Sequence, residues 1–236
     1  MKRLALALVL VSVGSLIAVG QFHYAFYYDL TNGQDVEITI SNPMFDETQL
    51  VISLFDAYGA EIWSSAESLA SAESGYIVLG EYVPYADYPW GVVTVDSTDR
   101  LIIGLEYYKD DLLVSVDTVV TEVPELDAFE TFWLGTYYSQ AGVTETAFIV
   151  MNPWPMTTTC DITAYNSDGY VVYTRTFTLS PYESEYVDLT TAIGSGGMLW
   201  GLLDVAMENR AVVIALEYYG RGCSDLEIDN VTDYYF

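Results

Sequence analysis

The chain repeats itself at a spacing of 110 residues. Asn42-Pro43 returns as Asn152-Pro153, Tyr76 as Tyr186, Trp90-Gly91 as Trp200-Gly201 and Arg100 as Arg210. Leu105-Glu106-Tyr107-Tyr108 returns as Leu216-Glu217-Tyr218-Tyr219, with one extra residue. A repeat of that length is a domain-sized unit rather than the period of about 20–50 residues of a solenoid. Whatever fold one copy adopts, the other must tolerate.

Within each copy the apolar residues alternate and show no sustained helical period. Val36, Ile38 and Ile40 alternate with Glu37, Thr39 and Ser41, and Leu50, Ile52 and Leu54 follow in the same style. Such runs, rich in β-branched and aromatic residues, predict strands. Turns separate them at matched places: Asp56 to Gly59 corresponds to Asn166 to Gly169, and Thr98 to Arg100 corresponds to Glu208 to Arg210. Composition alone would allow a helix over Ala66 to Ser74. Its counterpart holds Thr176, Phe177, Thr178 and Pro181, so strand and loop are expected instead. Seven or eight short strands in about 100 residues predict an antiparallel, immunoglobulin-like β-sandwich. The expected fold is therefore all-β, two tandem sandwiches over 21–118 and 131–236, joined by an acidic linker over 119–130. Trp90 and Trp200, each beside a glycine, are expected to fill the two cores.

The first 20 residues read as a secretory leader: Met1-Lys2-Arg3, an apolar run from Leu4 to Val19, then Gly20. Cleavage after Gly20 would start the mature chain at Gln21. The apolar run is short for a membrane span, which needs about 20 residues, and no span is expected once the leader is removed. This places the protein in the periplasm, at the cell surface or in the medium. The full chain carries a formal charge of −27, from 34 acidic and 7 basic residues. Nucleic acid is excluded as a partner, because its binding rests on Lys and Arg neutralising phosphates. So strong an acidity fits either the solubility of an exported protein or a salt-adapted one, where ions screen self-repulsion.

Export makes a disulfide the default pairing for the two cysteines, Cys160 and Cys223. The loop at Asn152-Pro153, the strand and turn from Tyr165 to Gly169, and the run from Leu179 to Ser184 together resemble domains of the sensory rhodopsin transducer family. That resemblance implies a sandwich fold for each repeat and nothing about activity. The terminal Phe236 and the many tyrosines are also features of outer-membrane barrels. The domain-length repeat argues for two sandwiches instead.

No catalytic constellation stands out. His23 is the sole histidine, and the Gly194 to Gly197 loop lacks the lysine of a phosphate-cradling motif. Nothing calls for a cofactor or a metal, since the acidic turns at Asp96 to Asp99 and at Asp110-Asp111 do not match a calcium loop. The recurring Arg100 and Arg210 are candidates for structural ion pairs with Glu106 and Glu217. Met44, Phe45 and Trp154, at the tips of the two Asn-Pro loops, are candidate ligand or partner contacts. The sequence thus argues for an exported, non-catalytic structural or binding protein that self-associates or binds a protein partner. A carbohydrate-binding or adhesive module is the alternative.

Overall fold

Among the described residues, alternating side chains build eight strands in each half, besides a two-residue strand near the start. The structure is a computed structural model, described over residues 2–3, 22–83, 90–119, 132–140, 145–194, 200–208, 212–218 and 226–231. A two-residue strand β1 (Lys2–Arg3) is followed by β2 (Phe22–Asp29), β3 (Gln34–Ser41), β4 (Thr48–Asp56) and β5 (Glu61–Leu69). The first half continues with β6 (Ser74–Val78), β7 (Trp90–Ser97), β8 (Ile102–Lys109) and β9 (Leu112–Val119). The second half holds β10 (Phe132–Ser139), β11 (Glu145–Met151), β12 (Thr158–Asn166) and β13 (Val171–Leu179). It ends with β14 (Ser184–Asp188), β15 (Trp200–Met207), β16 (Val212–Tyr218) and β17 (Leu226–Val231). A five-residue helix α1 (Leu189–Ile193) is capped by the Asp188 side chain, which accepts from the Thr191 amide.

Four sheets result. Sheet I has the order β6-β3-β8-β9, with β1 added in parallel beside β6. Sheet II is β2-β7-β4-β5, sheet III is β14-β11-β16-β17 and sheet IV is β10-β15-β12-β13. Apart from β1, every pairing is antiparallel. Sheets I and II have the same strand order as sheets III and IV, and the 110-residue offset holds in the register. Leu50 pairs with Ser97 and Cys160 with Met207, and both sheets carry a bulge at the same place, Leu54/Phe55 and Ala164/Tyr165. Immunoglobulin pairings of strands two with five and three with six are kept. The first, fourth and seventh strands, however, lie on the opposite sheets from those of an immunoglobulin constant-type domain.

Inside each sandwich the pattern is the expected one. Val36, Ile38 and Ile40 meet Leu50, Ile52, Leu54 and Val95 in the first core. Phe148, Val150, Ile162, Leu203 and Val205 form the second. The stretch from Ala66 is strand and then turn, as the duplicated pattern predicts. Both loop glycines, Gly59 and Gly169, sit at φ of 84° and 81°, the left-handed region where only glycine is unstrained. In each turn the preceding Asp56 or Asn166 carboxyl or amide oxygen accepts two backbone amides.

Two tryptophan expectations are corrected. Trp90 is only partly buried and Trp200 is 50 % exposed; neither lies in a sandwich core. The neighbouring glycines explain this. A Cβ on Gly91 would sit 2.1 Å from the Phe55 carbonyl oxygen, and one on Gly201 would sit 1.9 Å from that of Tyr165. At the bulges the backbone of the facing strand occupies the inward position, so only glycine fits there. Strand alternation then sends each preceding tryptophan outward.

The halves are not separate beads. Residues of sheet III join the first core's cluster: Ala147, Ile149, Met151, Val212, Ile214 and Leu216, all essentially inaccessible. Their alternate neighbours Phe148, Val150 and Val213 belong to the second core. Strand β11 and the described side chains of β16 in sheet III are therefore buried on both faces. So are β2 and β7 in sheet II, where Tyr24 to Tyr28 and Val92 to Val95 are buried without a break. The four sheets stack I, II, III, IV, with an apolar junction between II and III. The edge strands β9 and β17 approach each other.

The candidate disulfide is also corrected. Cys160 is a free, fully buried thiol whose register neighbours are Phe177 and Met207. Cys223 lies outside the described residues, as do Arg210, the linker over 120–130 and the leader apart from Lys2 and Arg3.

Candidate partner-docking face

The repeat lets every surface be compared with its counterpart, and one differs sharply. The outward face of sheet II carries Tyr27, Phe55, Trp90 and Val92, and it is covered by sheet III. Phe55 stacks on Tyr182 with ring centroids 3.8 Å apart and an interplanar angle of 9°, and Trp90 meets Tyr186 at 6.4 Å. Adding 110 to those positions gives Tyr137, Tyr165, Trp200 and Leu202 on the outward face of sheet IV. There Tyr137 is 59 % exposed and Leu202 48 % exposed. Tyr137 and Leu202 are register partners, and Leu202 also faces Tyr165 across β12. The Tyr137 and Trp200 rings lie 6.3 Å apart at 34°. Tyr170 and Val171 extend the apolar row at the edge of the sheet and are exposed as well.

Polar groups border this row. Asp204 follows two residues after Leu202 on β15, opposite Thr163, and burial pushes its carboxyl above the usual carboxylate range. Asp161 accepts the Thr176 hydroxyl at 2.5 Å. Arg175 is not part of this border: it stands opposite the core residue Ile162 on the inner face of sheet IV, pairs with Glu185 of sheet III and lies 5.1 Å over the Phe177 ring. Clustered aromatics beside sparse polar groups form the surface type enriched in protein interfaces. Single apolar side chains on a surface need no explanation, whereas a contiguous row does.

The sequence-derived candidates fall elsewhere. Trp154 closes the junction between the halves. It stacks on His23 with centroids 4.8 Å apart, while the two His23 ring nitrogens face Asp96 at 2.8 Å and the Pro153 carbonyl at 3.1 Å. Met44 and Phe45 remain at a free loop tip, Phe45 being 96 % exposed. The two asparagines of the Asn-Pro pairs are structural. Asn42 donates to the carbonyls of Asp46, Leu69 and Ala70, and Asn152 to those of Met156 and Ser180.

The glutamate candidates separate. Glu106 is the register partner of Glu37 on the outward face of sheet I and accepts the Tyr108 hydroxyl. Burial, then the Glu106 charge, holds the Glu37 carboxyl above its usual range. Arg100 lies 5.7 Å over the Phe22 ring. The position matching Glu106 in the second half is Leu216, opposite Ala147, whereas Glu217 stands opposite Thr146. The Leu-Glu-Tyr-Tyr match is thus one residue out of step with the strand register, and such a step changes the face of a strand. Glu106 and Glu217 are not counterparts.

A cleft of about 300 Å³ lies at the junction, lined by Asp56, Tyr58, Trp90, Glu183, Glu185 and Tyr186 among others. Its carboxylates serve local structure: Asp56 holds the β4–β5 turn, Glu183 accepts the Ser180 amide and Glu185 pairs with Arg175. Among the described residues no group of three or more His, Cys, Asp or Glu is placed to hold a metal ion. No described helix is long and apolar enough to cross a membrane.

No family model and no curated relative matches the chain. Among solved structures it is similar to the PBSX exported protein XepA, with 10 % identity, 80 % of this chain and 82 % of that one covered, and a TM-score of 0.24. It is also similar to a lectin from Pleurotus ostreatus in complex with GalNAc, with 12 % identity, 91 % and 77 % covered, and a TM-score of 0.23. A β-glucuronidase of glycoside hydrolase family 2 matches at 9 % identity and a TM-score of 0.22, and this chain spans 23 % of its length. Scores of this size carry no argument about fold or function.

Proposed function

We propose that the protein is an exported, non-catalytic structural or binding module of the cell envelope or extracellular space, and that sheet IV is its docking face. One observation carries the reading. Of the four positions that turn toward sheet III in the first half, Tyr27, Trp90 and Val92 have counterparts displayed to solvent in the second, Tyr137, Trp200 and Leu202, with the half-buried Tyr165 beside them. A fold that already uses this face for one sheet-on-sheet contact offers it again, with Tyr137, Trp200 and Leu202 as anchors. Aromatic anchors of this kind dominate interface energetics. The leader over 1–20 and the acidic surface accord with a life outside the cytoplasm.

The test is to express the full chain with its leader, locate the processed protein and measure its retention on washed envelope material. The leader reading expects an N-terminus at Gln21. The docking reading expects retention that drops at least tenfold in Leu202→Asp, with an unchanged near-ultraviolet circular dichroism spectrum. Equal retention of both proteins would sink the assignment of sheet IV.

A neutral glycan is the second reading, favoured by the paired Tyr137 and Trp200 rings beside the Asp204 carboxyl. It expects Trp200→Ser to lower retention on an uncharged polysaccharide column. It moves the candidate carbohydrate contact away from Trp154, which is engaged at the junction.

A further inference from the structure

Within the chain, one kind of face meets another kind. Sheet II, with strands one, six, three and four of its half, packs its outward face on sheet III, which holds strands five, two, seven and eight of the other. Such a contact is heterologous: neither surface is its own complement, and repetition of the relation generates an open stack. Two faces are left over at the ends. Sheet IV is of the docking kind and sheet I is of the receiving kind.

We propose that sheet IV docks onto sheet I of a second copy, repeating between molecules the junction made within one, and that the Glu37–Glu106 pair holds this contact open. This rests on the reading of sheet IV as a docking face. The docking side is preserved: Tyr27, Phe55, Trp90 and Val92 become Tyr137, Tyr165, Trp200 and Leu202. The receiving side is altered where it matters. Ala147 and Leu216, register partners at the buried centre of sheet III, correspond to Glu37 and Glu106, register partners on sheet I. Ile149 and Ile214 correspond to Thr39 and Gly104, while Val212 corresponds to Ile102, which is exposed. Shape and strand order are retained, and two adjacent carboxylates replace two apolar side chains.

Burying a like-charged pair without a cation is costly. The approaching sheet adds Asp161 and Asp204 to the same side of the balance. The glutamates therefore act as a block against end-to-end growth, a role that inward or edge charges often serve in β-proteins. Salt weakens the block, because at 1 M the screening length falls to about 3 Å.

The experiment measures particle mass against concentration for the wild-type chain and for Glu37→Ala/Glu106→Leu, which installs the second half's residues in the first. Glu106→Gln serves as a milder variant should the double substitution disturb folding. The double variant is expected to form species larger than dimers at low salt, at a concentration at least tenfold below that needed by the wild type. The wild type is expected to follow in 1 M salt, and Leu202→Asp to abolish growth in both. Loss of growth on Leu202→Asp alone, with no response to the glutamate substitutions and a stop at dimers, would overturn sheet I as the receiver while leaving sheet IV a docking face. A strict monomer in every variant and at both salts would overturn the proposal too. Envelope retention that still depends on Leu202 would then preserve the docking reading, and its loss as well would remove both.

Discussion

Ile149→Ala tests whether the two halves form one body. Ile149 lies on β11 and is 1 % exposed, packed in the cluster that joins sheets II and III. Were the halves independent sandwiches, this side chain would stand on an outer face, where a truncation costs within about 0.5 kcal/mol. Buried in the junction, it should cost about 2–5 kcal/mol, because the lost transfer energy is joined by the cavity left behind. For a chain of this size each kcal/mol moves the melting temperature by roughly 2–4 °C, so a fall of roughly 4–20 °C is expected. The chain supplies its own control. Thr39 occupies the matching place on sheet I, half-buried on an outward face, and Thr39→Ala should shift melting by about 2 °C at most. Differential scanning calorimetry on both variants decides the matter. If Ile149→Ala melts within about 2 °C of the wild type, the junction is not a packed layer and the four-sheet stack is wrong.

Three further outcomes follow from the same structure. Gly201→Ala should destabilise by about 1–3 kcal/mol or more, since its Cβ would lie 1.9 Å from the Tyr165 carbonyl oxygen, whereas Gly104→Ala, with nothing within 4 Å, should be neutral or stabilise by about 0.4–1 kcal/mol in urea melts. Stability should rise as pH falls from neutrality toward the ordinary carboxylate range: burial first of all raises the carboxyls of Glu37, Asp29 and Asp204. An acid with a raised folded pKa makes the native state bind protons more readily, so stability is lost as pH climbs above the ordinary carboxylate value and through the folded one. Glu37→Gln should melt higher than wild type at pH 7 and show a smaller rise on acidification; an unchanged rise would count against a raised Glu37 carboxyl. Cys160, whose thiol burial and then Asp161 push up to about 12, should resist iodoacetamide at pH 8 in the folded chain and react only in denaturant, as peptide mass mapping would show.

Much of this architecture was legible from the residues. Alternation in Val36 to Ser41 identified half-buried strands, the matched turns at Asp56 to Gly59 and Asn166 to Gly169 located the β4–β5 and β12–β13 hairpins, and Thr176 to Pro181 overruled a helix at Ala66. One signal that could have exposed the junction was also present. Glu37-Ile38-Thr39-Ile40-Ser41 alternates, yet its counterpart Ala147-Phe148-Ile149-Val150-Met151 is apolar throughout, which is how a strand covered on both faces reads. The uninterrupted run from Tyr24 to Tyr28 says the same of β2. The exposed face of sheet IV was not legible: Trp200 beside a glycine looks like a core residue until the Tyr165 carbonyl is seen in the space its neighbour would need. Nor was the step between Glu106 and Glu217, because sequence matching follows residue identity while facing follows strand register.

The sequence by itself therefore determined the strands, their turns and the inner face of each sandwich, because these depend on contacts and conformations encoded within one repeat. Which outer faces would be covered depended on a second, non-equivalent surface meeting them. Only the tertiary structure decided that Tyr27, Phe55 and Val92 lie within the stack while Tyr137, Trp200 and Leu202 lie at its open end. A local pattern records that a side chain is apolar; burial is a property of what packs against it.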